Sequence, residues 1–242
     1  MPPGIELRGL GLRYAGAPVF EQLSLILPPG EISVLLGPSG VGKTSLLRII
    51  AGLALPDTGN VFATDGKQLA GRVSYMAQQD LLLPWASALK NVTLGARLRS
   101  EPEDLICAAA LLEQVGLNHR AAARPAMLSG GERQRVALAR TLYENRPVVL
   151  MDEPFSALDA ITRVRMQDLA AKLLVGRTVL LITHDPFEAC RIGHSFTTLS
   201  GNPARLAEPT RLPGVPPRAP DEDGIIHLQG ELLRQLAQGA GV

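Results

Sequence analysis

Two apolar patterns alternate along the chain. Residues 32–36, 148–151 and 178–183 are short, nearly continuous apolar runs, the pattern of strands buried on both faces. Residues 43–53 instead place Leu46, Leu47, Ile50 and Leu53 at helical spacing, which makes one apolar face. Residues 5–14 and 18–27 predict two strands joined by a Gly-containing loop at 15–17, and Pro28-Pro29-Gly30 predicts a turn. A further strand is predicted at 73–76, and helices at 86–99, 102–115, 129–143 and 161–174. Strands alternating with helices imply a parallel α/β sheet. From residue 85 to 128 that alternation gives way to helix alone, which predicts a helical insertion. Six prolines between 203 and 220 predict an extended linker. Ile225, Leu228, Leu232 and Leu236 then fit a short amphipathic helix over 225–236.

Composition narrows the classes. The chain has 242 residues, enough for one large domain or two small ones, and 46% are hydrophobic, which supports a core and excludes wholesale disorder. A net charge of +1 gives no electrostatic case for nucleic acid as a partner. Mean hydropathy is +0.13. Yet the longest apolar runs, such as 105–112, fall far short of the roughly 18–20 residues of a membrane span. Residues 1–9 contain Glu6 and no apolar core, so they do not form a secretory signal. Cys107 and Cys190 are too few for a disulfide framework or a thiolate cluster. These features together predict a soluble, cytosolic protein.

Candidate chemistry begins just after the strand at 32–36. Gly37-Pro38-Ser39-Gly40-Val41-Gly42-Lys43-Thr44 matches G-x-x-x-x-G-K-[ST], between a buried strand and a helix. Glycines in such a loop let backbone N–H groups turn inward onto phosphate oxygens. The helix N-terminus that follows adds its dipole. Lys43 would reach the β- and γ-phosphates, and the Thr44 hydroxyl would bind Mg²⁺. Only four lysines occur in the chain, and one stands at this position. A second candidate is Asp152-Glu153, two carboxylates at the end of the apolar run 148–151. In a parallel sheet, ligands bind at that end. Asp152 suits the Mg²⁺ sphere, and Glu153 suits the general base for an attacking water.

A third motif carries a family resemblance. Leu128-Ser129-Gly130-Gly131-Glu132-Arg133-Gln134-Arg135 resembles the signature sequence of ABC-type ATPases, as does its spacing to Asp152. Ser129 and Glu132 also form a capping box able to start any helix, and the two readings are compatible. The resemblance implies a P-loop NTPase fold: a mainly parallel sheet, an antiparallel β subdomain and an inserted helical subdomain. It covers about residues 4–205. It implies an ATPase domain over 1–205 with the helical subdomain at about 85–146, and a Pro-rich tail over 206–242.

The resemblance also implies roles, residue by residue. ATP would be held by Tyr14 stacked on adenine, by the loop from Gly37 to Ser45, and by Ser129, Gly130 and Gly131 of an opposite subunit. Lys43, Gln78, Glu153 and His184 would act in hydrolysis, with Thr44, Gln78 and Asp152 around Mg²⁺. Gln78 is preferred over Gln79 by its distance to Pro84-Trp85. The loop Ser156-Ala157-Leu158-Asp159 resembles the dimer-contact loop. Two departures from the family are Glu132 in place of the commoner Gln and Thr44-Ser45 in place of Ser-Thr. His119, His194 and His227 have no such context.

The chain is most like ATPase subunits of bacterial importers of the nitrate/sulfonate/taurine group. Residues 75–80 and 151–156 incline toward its branch for the thiamine precursor hydroxymethylpyrimidine. The resemblance implies a head-to-tail homodimer on the cytoplasmic side of the cell membrane. Permease subunits would dock near Gln78 to Trp85, served by a periplasmic or extracellular substrate-binding protein. Rival classes are a soluble ABC-type ATPase without a transporter and a P-loop small-molecule kinase.

Overall fold

A computed structural model describes residues 1–220, 222, 224, 225, 228–230 and 232–234. The chain opens with β1 (Ile5–Tyr14), β2 (Ala17–Leu27), β3 (Ile32–Leu36), α1 (Lys43–Ile50), β4 (Thr58–Ala63) and β5 (Val73–Met76). Four helices follow: α2 (Ala88–Val92), α3 (Leu94–Leu98), α4 (Leu105–Gln114) and α5 (Gly130–Tyr143). Then come β6 (Val148–Asp152), α6 (Ala160–Leu173), β7 (Thr178–Ile182), α7 (Pro186–Ile192) and β8 (Ser195–Ser200). Two short strands, β9 (Arg205–Leu206) and β10 (Thr210–Arg211), complete the set.

Strands β8, β3, β7, β6 and β5 run parallel in that order, with β9 and β10 antiparallel on β8. The other sheet, β2-β1-β4, is antiparallel. Every residue of β3, β6 and β7 is buried, and their side chains alternate between two cores. Val34, Val149, Met151, Val179 and Leu181 face the larger core with α5. Leu35, Val148, Leu150, Leu180 and Ile182 face the small sheet and α1. Double-sided burial is why these strands read as continuous apolar runs. Because β3, β7, β6 and β5 are parallel neighbours, the loops after all four emerge along one edge of the sheet.

Several elements differ from the pattern-based expectation. Helix α1 stops at Ile50 because Gly52 takes φ +72° and the N–H of Leu53 returns to the Arg48 carbonyl at 2.8 Å. The helix expected at 86–99 is two five-residue helices, parted at Thr93, whose hydroxyl turns to the Glu103 carboxylate. Helix α4 begins at Leu105 rather than 102, where Asp104 accepts from the Cys107 N–H at 2.9 Å. Strands β4 and β8 and helix α7 were not expected.

The Pro-rich stretch is extended but packed onto the body rather than spanning free space. Leu212 is buried, and the buried Arg218 donates to the carbonyls of Cys190 (2.7 Å) and Gly193 (2.8 Å). Ile225 and Leu232 enter the large core and Leu228 packs against it; Leu236 lies outside the described residues.

Candidate active site

The loop between β3 and α1 is built on glycine. Gly42 has φ 110°, and a Cβ there would lie 2.7 Å from Val19 Cγ1. A Cβ on Gly37 would collide with the Leu199 carbonyl. Helix α1 has no side-chain cap and no acidic residue in its first turn, which leaves its N-terminal donors for an anion. Lys43 is only 6% exposed. Its Nζ donates to the carbonyls of Gly37 at 2.7 Å and Pro38 at 2.8 Å, so the ammonium lies folded over the loop. Burial pushes its pKa down, against the pull of Glu153 and Asp152.

The end of β6 supplies the facing wall. Thr44 Oγ1 donates to Asp152 Oδ2 at 2.7 Å. Burial pushes the Asp152 carboxyl up, although the Thr44 bond favours its ionised form. Glu153 follows in a left-handed conformation, φ 48°. Such a residue costs about 1–3 kcal/mol and persists only where neighbours impose it. Here the Glu153 N–H donates to Ile182, and Ser156 Oγ and Gln134 Nε2 donate to the Glu153 carbonyl at 3.0 and 3.4 Å. The carboxylate then meets Gln78 Nε2 at 3.2 Å and His184 Nδ1 at 3.2 Å, one on each oxygen.

The structure thus gathers most of the expected residues. Ser39, Gly40, Gly42, Lys43, Thr44, Ser45, Gln78, Asp152 and Glu153 line one cleft, and Gln79 does not. Tyr14, 81% exposed, borders an adjoining cleft with Pro38, Ser39, Gly40 and Val41. Pro18, Val19, Gly201 and Asn202 complete that cleft. These four carry no motif: Pro18 and Val19 come from the start of β2, and Gly201 and Asn202 from the turn after β8. A further cleft behind His184 involves Arg163, Thr183 and Glu188, none of them expected there.

Ser129, Gly130 and Gly131 do not line the Lys43 cleft. Ser129 caps α5 in a two-way box: its hydroxyl accepts from the Glu132 N–H at 3.2 Å, and Glu132 accepts from the Ser129 N–H at 2.7 Å. Glu132 therefore has its own local use at the position where it departs from the family. Helix α5 also grips the segment after Gln78. Arg133 donates to Asp80 Oδ2 at 2.9 Å, and Arg140 donates to the carbonyls of Asp80 and Leu81 at 2.6 and 3.0 Å. On that segment Trp85 is 70% exposed.

The donor set fits Mg²⁺. A hydroxyl, a carboxylate and an amide oxygen are hard ligands, and among the described residues the buried Asp152 carboxylate has no ion-pair partner, Lys43 and Arg48 acting on it only through their charge. Among the described residues no group of three or more His, Cys, Asp or Glu could hold a metal by itself. That is expected for an ion completed by phosphate oxygens and water.

Comparison with known proteins gives this geometry a family. Residues 20–156 match the ABC transporter family. An aliphatic sulfonates import ATP-binding protein of Rhodococcus jostii is 44% identical over 97% of this chain and 94% of its own length. A taurine import ATP-binding protein of Chromobacterium violaceum is 44% identical over 84% of this chain and 81% of its own. A solved dimeric ATP-binding cassette in a post-hydrolysis state, bound to ADP and Pi, superposes with a TM-score of 0.77 at 30% identity, covering 87% of this chain and 99% of the other. Among the described residues no helix is long and apolar enough to cross a membrane. The chain belongs to the ABC transporter family, as an ATP-binding ATPase whose hydrolysis is coupled to transport.

Proposed function

We propose that the chain energises an importer of small organosulfonates, a class that includes aliphatic sulfonates and taurine. The contact that supports hydrolysis most directly is Glu153, held by Gln78 and His184 beside the Lys43 loop. In this reading the loop and Lys43 bind the phosphates, Tyr14 stacks on adenine, and Glu153 takes the proton of the attacking water. Thr44 and Asp152, with the Gln78 amide oxygen, would hold Mg²⁺, and the ion would supply positive charge against the phosphates.

The Ser129 helix start lies outside the cleft, so each ATP is completed by the opposite subunit of a head-to-tail homodimer. The dimeric cassette among the structural neighbours supports dimerisation. Permease subunits dock on the 78–85 segment at the cytoplasmic face of the membrane, and a substrate-binding protein delivers cargo outside. The import-protein names of the relatives support the permease partnership. Those two relatives are named for sulfonates and taurine, and they give the pyrimidine preference no support. The Ser129 motif weighs against a small-molecule kinase.

A strain lacking this chain tests the reading. It should lose growth on taurine or an alkanesulfonate as sole sulfur source, keep growth on sulfate, and recover with the wild-type gene. Unimpaired sulfonate growth would overturn the cargo. Failure to co-purify with any permease would favour the soluble ATPase class.

A further inference from the structure

Glu188 sits in the cleft behind His184, on α7, and is 3% exposed. Its Oε2 accepts from Thr183 Oγ1 at 3.0 Å. Its Oε1 is buried and has no hydrogen-bond partner among the described residues. Thr183 Oγ1 in turn accepts from the Asp185 N–H at 3.0 Å, and Asp185 Oδ1 accepts from the Phe187 N–H at 2.9 Å. These bonds form a knot from Thr183 to Glu188, and His184 lies inside it. The His184 side chain is itself 59% exposed, yet its Nδ1 stays 3.2 Å from Glu153 Oε1. An exposed imidazole has little packing to hold it there, so its placement falls to the backbone of this turn.

We propose that Glu188 is a positioning residue for ATP hydrolysis: through Thr183 it fixes the turn that carries His184 to Glu153. The proposal rests on the hydrolytic reading given above and adds a residue that the reading does not use. Burial pushes the Glu188 carboxyl up to about 8, so it is mainly neutral at pH 7. The groups facing it are Asp185 at the start of its own helix, Glu153 from the loop after β6, and Arg163 from α6. Asp185 and Glu153 oppose its ionisation and Arg163 favours it. The Thr183 bond favours the ionised form, but burial opposes it more strongly, so an ionised Glu188, with one unpartnered oxygen and two carboxylates nearby, would draw water in and open the turn.

The test is the pH profile of ATP hydrolysis by the full chain. The wild type should lose kcat above about pH 8. Glu188→Gln keeps an oxygen for Thr183 and cannot ionise. It should hold kcat within about twofold at pH 7 and remove the alkaline loss. Glu188→Ala should lower kcat about tenfold or more with KM for ATP within about twofold, because the Lys43 loop is untouched. Thr183→Val should reproduce that fall, and the double variant should add nothing to it. An alkaline loss unchanged in Glu188→Gln, or a wild-type kcat in Glu188→Ala, would overturn the proposal. If Glu188→Ala does not fold, the Glu188→Gln profile decides alone. A wild-type chain that hydrolyses no ATP would remove the reading beneath the proposal, a result distinct from either variant outcome.

Discussion

Lys43 and Glu153 are the residues on which the site turns, and each is placed at a local cost. Lys43 is buried and gains only two carbonyl partners in return. Phosphate oxygens would be its stronger, charge-assisted partners. Lys43→Ala should therefore weaken ATP binding at least about tenfold in titration calorimetry. Lys43→Arg should fail to restore it, because a planar guanidinium cannot replace a point charge within this small loop. Glu188 makes a separate prediction about stability. Its folded pKa of about 8 lies above the ordinary 4.5, so the folded state binds the extra proton between those values. Stability contributed by the neutral group is complete below about pH 4.5 and declines as pH rises through 8. Glu188→Gln should accordingly gain in thermal midpoint over the wild type from pH 5 to 8; equal midpoints throughout would contradict the buried neutral carboxyl.

Elements follow their caps and glycines. Helix α5 starts where the Ser129 box begins it, and α6 starts where Asp159 accepts from the Thr162 N–H at 3.0 Å. Asp104→Ala, which removes the α4 cap, should cost about 0.5–2 kcal/mol in urea unfolding. An unchanged midpoint would show that packing alone holds α4. The strands buried on both faces were legible because each carries a single polar residue, Ser33 in β3, Asp152 at the end of β6 and Thr178 at the start of β7, among four apolar ones. Strand β8, Ser-Phe-Thr-Thr-Leu-Ser, is mostly buried too, but its hydroxyl-rich sequence hides it. Thr197 shows why the sequence is tolerated: its hydroxyl donates to the carbonyl of Ala207, just after β9. Helix α7 is seven residues long and carries Pro, Glu and Arg, so no apolar face announces it. Its Arg191 is nevertheless buried, with Gln167 and the Arg218 carbonyl as partners. Such partners are far away in sequence and leave no local signal. Glu188 and Arg163 have partners only five residues away, Thr183 and the Leu158 carbonyl, but no motif marks those pairs, whereas the Gly37–Lys43 loop and Asp152-Glu153 were legible because their chemistry is contiguous.

At the scale of the molecule, parallel order is what makes the site. The loops after β3, β6 and β7 bring Lys43, Glu153 and His184 to one edge, and the chain after β5 adds Gln78. The Ser129 end of α5 is left outside that cleft, which makes a monomer an incomplete enzyme in this account. Glu153→Gln with ATP should therefore sediment as a dimer, and without nucleotide as a monomer; a monomer under both conditions would contradict the shared site. Helix α5 also holds Asp80 and Leu81, on the segment that leads to the exposed Trp85, through Arg133 and Arg140. Hydrolysis turns most directly on Glu153. Steady-state ATP hydrolysis and ATP affinity, measured together for wild type and Glu153→Gln, test it. The predicted result is a loss of roughly 10²-fold or more in turnover with ATP binding retained. Near-normal hydrolysis by Glu153→Gln would contradict it.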